Sequence, residues 1–199
     1  MSQFPDAKFI LSAASPQQFP ADRGSEVAVA GRSNAGKSSA INAIVNRRQL
    51  AKTGKTPGRT QLINFFELGK GQRLVDLPGY GFARVHAEVR RNWSLLLESY
   101  FEGRASLKGL LLVVDCRRGL GEFDLTMLAF ADDRRIPVHV LLTKADKLNK
   151  KDAAASLQQA QAQLGASASV QLFSALRQRG LEESREALLR FLGTERRQR

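Results

Sequence analysis

The 199-residue chain has a single cysteine, Cys116. An intramolecular disulfide is therefore impossible and a thiolate metal cluster is excluded, which fits a reducing cytoplasm. Cys116 ends the apolar run Leu110-Leu111-Leu112-Val113-Val114-Asp115, where a buried structural thiol is expected rather than a nucleophile. No apolar segment reaches the roughly 20 residues that a membrane-spanning helix needs. The first 23 residues contain Asp6, Lys8 and three prolines, which suits neither a signal peptide nor an anchor. No membrane partner is expected. Long linkers, repeats and low-complexity stretches are also missing, and 43% apolar composition can supply one core. The expected organisation is an N-terminal extension at 1–23, one domain at 24–193 and a polar, basic tail at 194–199, in a monomer.

Acidic residues are scarce in one place above all. From Val27 to Phe66 there is none, while Arg32, Lys37, Arg47, Arg48, Lys52, Lys55 and Arg59 all fall inside. The net charge is +12, with further basic groups at Arg90-Arg91, Arg117-Arg118, Arg134-Arg135, Lys150-Lys151, Arg177, Arg179 and Arg196-Arg197. Any one pair can be a solvated face. The whole set repels itself without a polyanion, so a nucleic-acid partner is the favoured reading.

What the acid-free stretch does contain is Gly31-Arg32-Ser33-Asn34-Ala35-Gly36-Lys37-Ser38-Ser39, between the apolar run Val27-Ala28-Val29-Ala30 and a helical pattern. A nucleoside triphosphate needs backbone N–H donors curled round its β-phosphate, and Gly31 and Gly36 permit that wrap. Lys37 can then reach the β- and γ-phosphates, and Ser38 can ligate Mg²⁺. The helix beginning there turns its positive end to the anion.

Apolar runs at 26–30, 61–68, 73–77, 109–116, 138–143 and 170–173 predict six strands, most of them continuous and hence covered on both faces. Helical patterns at 38–48, 86–102, 123–134, 151–164 and 181–192 alternate with them. The expected fold is α/β: a doubly wound, mostly parallel sheet with helices on both faces. The turn Gly69-Lys70-Gly71 joins two strands directly, so one antiparallel edge strand is expected. Tyr100 and Trp93 should pack in the core, as should at least one of Phe65 and Phe66.

In such a sheet ligands bind beyond the carboxyl ends of the strands, and three of those ends carry matching motifs. Asp76-Leu77-Pro78-Gly79 puts a carboxylate where it can hold Mg²⁺ through water and a Gly79 N–H where it can meet the γ-phosphate. Thr143-Lys144-Ala145-Asp146 offers a carboxylate able to accept from guanine N1–H and the 2-amino group, donors that adenine lacks in that arrangement. Lys144 would pack over the base. Thr143 stands where many GTPases have asparagine, which threatens base or loop contacts. Phe173-Ser174-Ala175 can present N–H groups to guanine O6. The loop Lys55-Thr56-Pro57-Gly58-Arg59-Thr60-Gln61 can act as a switch, with Thr60, next to the strand, as the expected Mg²⁺ hydroxyl.

This ordered set resembles the translation-factor-type GTPases and, within them, the bacterial EngB (YihA/YsxC) family. The sharper marks are the P-loop at 31–38, Thr-Pro-Gly-Arg-Thr-Gln at 56–61 with Asn64-Phe65-Phe66, Asp-Leu-Pro-Gly-Tyr-Gly at 76–81, and Thr-Lys-Ala-Asp at 143–146. The resemblance implies a GTP-binding protein needed for normal cell division and septation, acting in assembly of the large ribosomal subunit. It also implies Ser38 and Thr60 on Mg²⁺, 31–38, 58–62 and 76–79 round the phosphates, and 143–146 with 173–175 on guanine. Tyr80 stands where Ras-like proteins have the glutamine that orients water, and His86 is the one histidine close in sequence. In similar GTPases the P-loop asparagine helps bind a potassium ion, a role open to Asn34; the alternative is that Asn34 caps the loop. A P-loop kinase, or an RNA-binding protein with a vestigial nucleotide site, are the other readings.

Overall fold

Strands that are apolar on both sides cannot sit at a wet surface, and in the computed structural model they do not. It describes residues 3–52, 62–80, 87–165 and 168–194, except for the side chains of 87–93. The strands are β1 (Lys8–Ala13), β2 (Ser25–Gly31), β3 (Ile63–Gly69), β4 (Gln72–Asp76), β5 (Leu107–Asp115), β6 (Val138–Thr143) and β7 (Ala168–Leu172). The helices are α1 (Lys37–Val45), α2 (Ala87–Gly103), α3 (Glu122–Asp133), α4 (Lys150–Gln163) and α5 (Leu181–Phe191). One sheet runs β1-β3-β4-β2-β5-β6-β7.

The sheet has seven strands where six are expected. The extra one comes from the N-terminal extension, whose Lys8–Ala13 pairs antiparallel with β3. Its outer residues Phe9 and Ile10 are exposed, so the segment lacks the continuous apolar run by which the other strands are recognised. The antiparallel strand expected at the edge is β3, which β1 covers on its outer side. The last strand spans Ala168–Leu172 and not 170–173, and Phe173 lies just past it.

Helices cover both faces. Ile41, Ile44 and Val45 of α1 pack with Leu188 of α5 on Val27, Val29, Leu111 and Val113. Leu97, Tyr100 and Phe101 of α2, Met127 and Ala131 of α3 and Ala160 of α4 pack on Ala28, Leu110, Leu112 and Leu142. Phe65, Phe66, Tyr100 and Cys116 are all buried, as expected. The side chain of Trp93 lies outside the described residues.

One charged group is fully buried at the end of the sheet where β2 begins. Glu26 accepts from Arg73 Nε (2.6 Å), from Arg104 and from the Tyr100 hydroxyl (3.1 Å). The same arginines donate to backbone carbonyls: Arg73 to Ala21 (3.0 Å) and Arg23 (2.6 Å), Arg104 to Pro20 (2.8 Å). The cluster thus ties the 20–23 segment to the sheet. Removing one partner of a buried pair strands the other charges at about 3–5 kcal/mol. Glu26→Ala should lower the stability by that amount, read as a fall in the urea midpoint with the slope unchanged.

Candidate nucleotide site

The chain reaches the opposite end of the sheet at the carboxyl ends of its parallel strands. Register brings Val29 beside Asp76, Gly31 beside Val113 and Asp115 beside Thr143. The neighbours of β2 are β4 on one side and β5 on the other, so the loop after β2 lies at the point where connections diverge to the two halves of the sheet. That loop is 31–36.

Gly31 runs so close to β5 that a Cβ would fall 2.4 Å from the Val113 carbonyl oxygen. Gly36 has φ of +100°, the left-handed region that glycine occupies without strain, and it leads directly into α1. The N–H groups of a helix's first turn have no intrahelical acceptor, so a loop closed this tightly presents them together to an anion. Lys37, at the first turn, is nearly buried and pairs with Asp76. Asp76 is steadied on its other oxygen by Asn64 Nδ2 at 3.2 Å, and Asn64 in turn accepts from Ser12 of β1 at 2.6 Å. Sequence reasoning treats Asn64 as a family mark only. Its role is visible once antiparallel register sets Asn64 opposite Asp76.

For Mg²⁺ the donor set fits: the Ser38 hydroxyl makes no hydrogen bond among the described residues, and the Asp76 carboxylate is within one side chain of the P-loop. One hydroxyl and one carboxylate, completed by water and phosphate oxygens, is how proteins usually hold this ion. Among the described residues no group of three or more His, Cys, Asp or Glu could hold a metal. The expected Mg²⁺ hydroxyl Thr60, with Gly58, Arg59 and Gln61, lies outside the described residues, as does His86. Leu62 immediately precedes β3 and is half-buried.

The base end is organised by three contacts. The Thr143 hydroxyl lies 2.5 Å from the Ala35 carbonyl and 3.0 Å from that of Val114. The loop tie that its departure from asparagine puts in doubt is therefore present. Lys144, held at φ +59°, donates to the Asn34 carbonyl (2.6 Å) and pairs with Asp115 (3.0 Å). Ser174 donates its hydroxyl to Asp146 Oδ1 at 2.5 Å. That hydrogen bond, opposed by partial burial, holds the Asp146 carboxyl below its usual range, so it stays an acceptor at neutral pH. Within 173–175 the Phe173 N–H is taken by Leu142 (2.8 Å) and the Ser174 N–H by Arg179 (3.0 Å). Only the Ala175 N–H is left for a ligand among the described residues.

Asn34 has φ of +64°, is exposed, and its side chain makes no hydrogen bond among the described residues, so it does not cap the loop there. The loop 77–79 follows β4, with Leu77 N–H on the Val29 carbonyl (3.0 Å). Gly79 lies against Ser33, whose buried hydroxyl has no partner among the described residues. Tyr80 turns inward: its hydroxyl donates to buried Asp124 of α3 at 2.5 Å, and its carbonyl accepts from Ser33 N–H at 2.9 Å. It thus packs the loop onto α3 instead of orienting water.

The sheet with this loop at its switch point defines the P-loop GTPase class of fold. A family model described as "50S ribosome-binding GTPase" matches residues 26–144. A relative from Methylobacillus flagellatus, described as "Probable GTP-binding protein EngB", is 50% identical over 96% of this chain and 94% of its own. One of the same description from Hydrogenovibrio crunogenus is 51% identical over 90% and 86%. The chain belongs to the EngB family of GTP-binding proteins. In three dimensions it resembles a structure described as a probable GTP-binding protein engB (TM-score 0.69, 23% identity, 85% of this chain and 99% of that one). It also resembles Era in complex with MgGDPNP and nucleotides 1506–1542 of 16S ribosomal RNA (TM-score 0.64, 18% identity, 89% and 59%). At these identities the likeness is one of fold.

Both tyrosines of the chain, Tyr80 and Tyr100, have phenols raised well above their ordinary value, first by burial and then by the carboxylates of Asp124 and Glu26. Above pH of about 10 the unfolded chain ionises its phenols while the folded one does not. Their contribution to stability is therefore complete below that pH and is lost as pH rises beyond it. In an alkaline titration, phenolate absorbance should stay flat through pH of about 10 and then rise together with the loss of circular dichroism. A smooth rise in the native protein near 10 would show a phenol open to water.

Proposed function

We propose that this chain is a slow GTP-hydrolysing switch that acts in assembly of the large ribosomal subunit through RNA or ribosome contact, and that normal bacterial cell division and septation depend on it. It works in the cytoplasm as a monomer. The observation that carries the guanine reading is Asp146, fixed by Ser174 beyond the strand ends that carry the P-loop and Asp76. Among the described residues no helix is long and apolar enough to cross a membrane. The description of the matching family supports the ribosomal setting, and Era in complex with 16S ribosomal RNA nucleotides lends it a parallel.

The assignments follow the chemistry of each side chain. The N–H groups of 31–38 surround the phosphates, with Lys37 on the β- and γ-phosphates and Gly79 N–H on the γ-phosphate. Ser38 and Thr60 hold Mg²⁺ directly and Asp76 holds it through water; the ion neutralises charge on the phosphate oxygens. Gly58 to Leu62 close over the phosphates. Thr143 and Lys144 brace the P-loop, Asp146 reads guanine, and Ala175 N–H faces O6. Membership in a GTPase family favours this reading over a kinase. A vestigial site would have no reason to keep a nearly buried Lys37 opposite Asp76.

Two measurements test it. With Mg²⁺ present, the parent should bind fluorescent GTP and not ATP analogues, and Asp146→Asn should lose guanine affinity by more than tenfold and gain xanthine nucleotide. Equal binding of ATP, or indifference to the substitution, would sink the assignment. For catalysis, Asn34 with its unengaged side chain supports a potassium ion acting as an arginine finger does. Hydrolysis should be faster in potassium than in sodium buffer by at least severalfold, and Asn34→Ala should abolish the difference.

A further inference from the structure

Beside the P-loop, on the flank towards the β5–α3 connection, lies a cavity of about 260 Å³. It shares Arg32 to Ala35 with the loop 31–38 and Lys144 with the base end, but none of Gly36, Lys37, Ser38, Asp146 or Ser174 lines it, so it adjoins the cradle without coinciding with it. Its walls are Arg32 and Asn34 of the loop, Arg117 and Arg118 after β5, Lys144 and Asp115. The charges are unevenly committed. Asp115 is saturated by Arg117 Nε (3.0 Å) and its terminal nitrogen (2.7 Å) and by Lys144 (3.0 Å). Burial alone would raise its carboxyl, yet the hydrogen bonds from Arg117 and Lys144 hold it well below the usual carboxylate range. Asp124, also at the cavity, is occupied by Tyr80 and by the Gly121 N–H (2.8 Å). Arg32 and Arg118 have no ion pair among the described residues. Two guanidiniums thus face one cavity with every nearby carboxylate already spent.

We propose that this cavity receives a backbone phosphate of the RNA partner, gripped by Arg118 and Arg32. The inference rests on the RNA reading above and names where on the chain that reading is met. The volume falls below the ~300–1,000 Å³ of pockets that enclose a whole small ligand, and suits a phosphate that arrives on a chain. Guanidinium groups match phosphate oxygens in paired hydrogen bonds, and a net charge of +12 draws a polyanion to the surface first. An acidic protein segment could offer carboxylates, but a basic excess spread along the whole sequence matches a uniformly charged backbone better.

The site also explains how RNA and nucleotide would sense one another. Lys144 spans the cavity wall and holds the Asn34 carbonyl, so a phosphate placed here touches the outer side of the loop whose inner side takes GTP. Coupling of that kind is reciprocal: nucleotide state alters RNA affinity as much as RNA alters nucleotide affinity.

The test uses the full chain with a non-hydrolysable GTP analogue or GDP, and a fluorescent transcript of large-subunit ribosomal RNA as probe. Arg118→Ala should weaken RNA binding about tenfold and lower the slope of log affinity against log salt by about one; Arg118→Glu should weaken it further. The analogue's own affinity in the absence of RNA should not change. Lys70→Ala removes the same charge from the exposed β3–β4 turn at the far end of the sheet, and should leave RNA binding within about twofold. The ratio of RNA affinities with analogue and with GDP should shrink in Arg118→Ala. RNA binding by both Arg118 variants with parental affinity and slope would overturn the inference and leave the RNA reading standing. A parent that binds no RNA would overturn both. If inorganic pyrophosphate binds in an Arg118-dependent way while RNA does not, the cavity serves a free anion and the assignment to RNA is wrong. An acidic peptide that competes only with the parent while RNA binds all variants alike would likewise overturn it.

Discussion

A lysine taken almost out of water has to be given an anion, and that requirement joins the parts of this protein. Lys37 cannot avoid its position, because the glycine at φ +100° before it and the helix after it fix where its backbone lies. Asp76 arrives opposite because β4 is the parallel neighbour of β2 and ends beside Val29. Neither residue would be tolerable there alone, since an uncompensated buried charge costs several kcal/mol. On the function proposed above, a triphosphate would offer Lys37 a stronger partner than one carboxylate and would free Asp76 for the metal, an exchange that would act on the strand end leading into the loop 77–80.

That strand end is not held by Lys37 alone. Asn64 and Ser12 form a polar line from Asp76 out to the edge strand β1, so the N-terminal segment, remote in sequence, helps to orient the carboxylate that faces the P-loop lysine. At the opposite end of the sheet the two arginines on Glu26 bind the 20–23 segment. The chain between these anchors is thus fastened at both ends of the sheet. This gives the extension a mechanical part in the domain.

The motifs were readable because phosphate and base chemistry admits few residue types at few spacings. Asp76 ends β4, Asp146 follows the end of β6, and Gly36 and Lys37 lead from the loop after β2 into α1, in the order the motifs imply. The helices fall within a residue or so of their periodic patterns, except that the first is shorter than expected, ending at Val45. β1 was not readable, because an edge strand exposes half its residues and Phe9 and Ile10 look like any surface pair. Asn64 could not be read as a positioning residue, since its partner is set by the pairing of β3 with β4 and not by any local pattern. The same holds for Thr143, whose hydroxyl does the work expected of an amide only because β6 ends next to the P-loop carbonyls. Ser174 looked like a backbone donor, and in the fold its side chain is what matters.

Tyr80 shows the same dependence on long-range packing with a sharper consequence for chemistry. A phenol in a loop beside the phosphates suggests an outward, water-facing group. Here burial and the Asp124 hydrogen bond make that orientation costly, because swinging the ring out would leave a buried carboxylate short of a donor. The loop after β4 is therefore anchored to the first turn of α3, with its phenol unavailable to a ligand. On the P-loop itself, the side chains of Arg32, Ser33 and Asn34 make no hydrogen bond or ion pair among the described residues. Among the described residues, then, the phosphate-side elements stand in place around Lys37 and Asp76, while the phenol after β4 is committed to packing against α3.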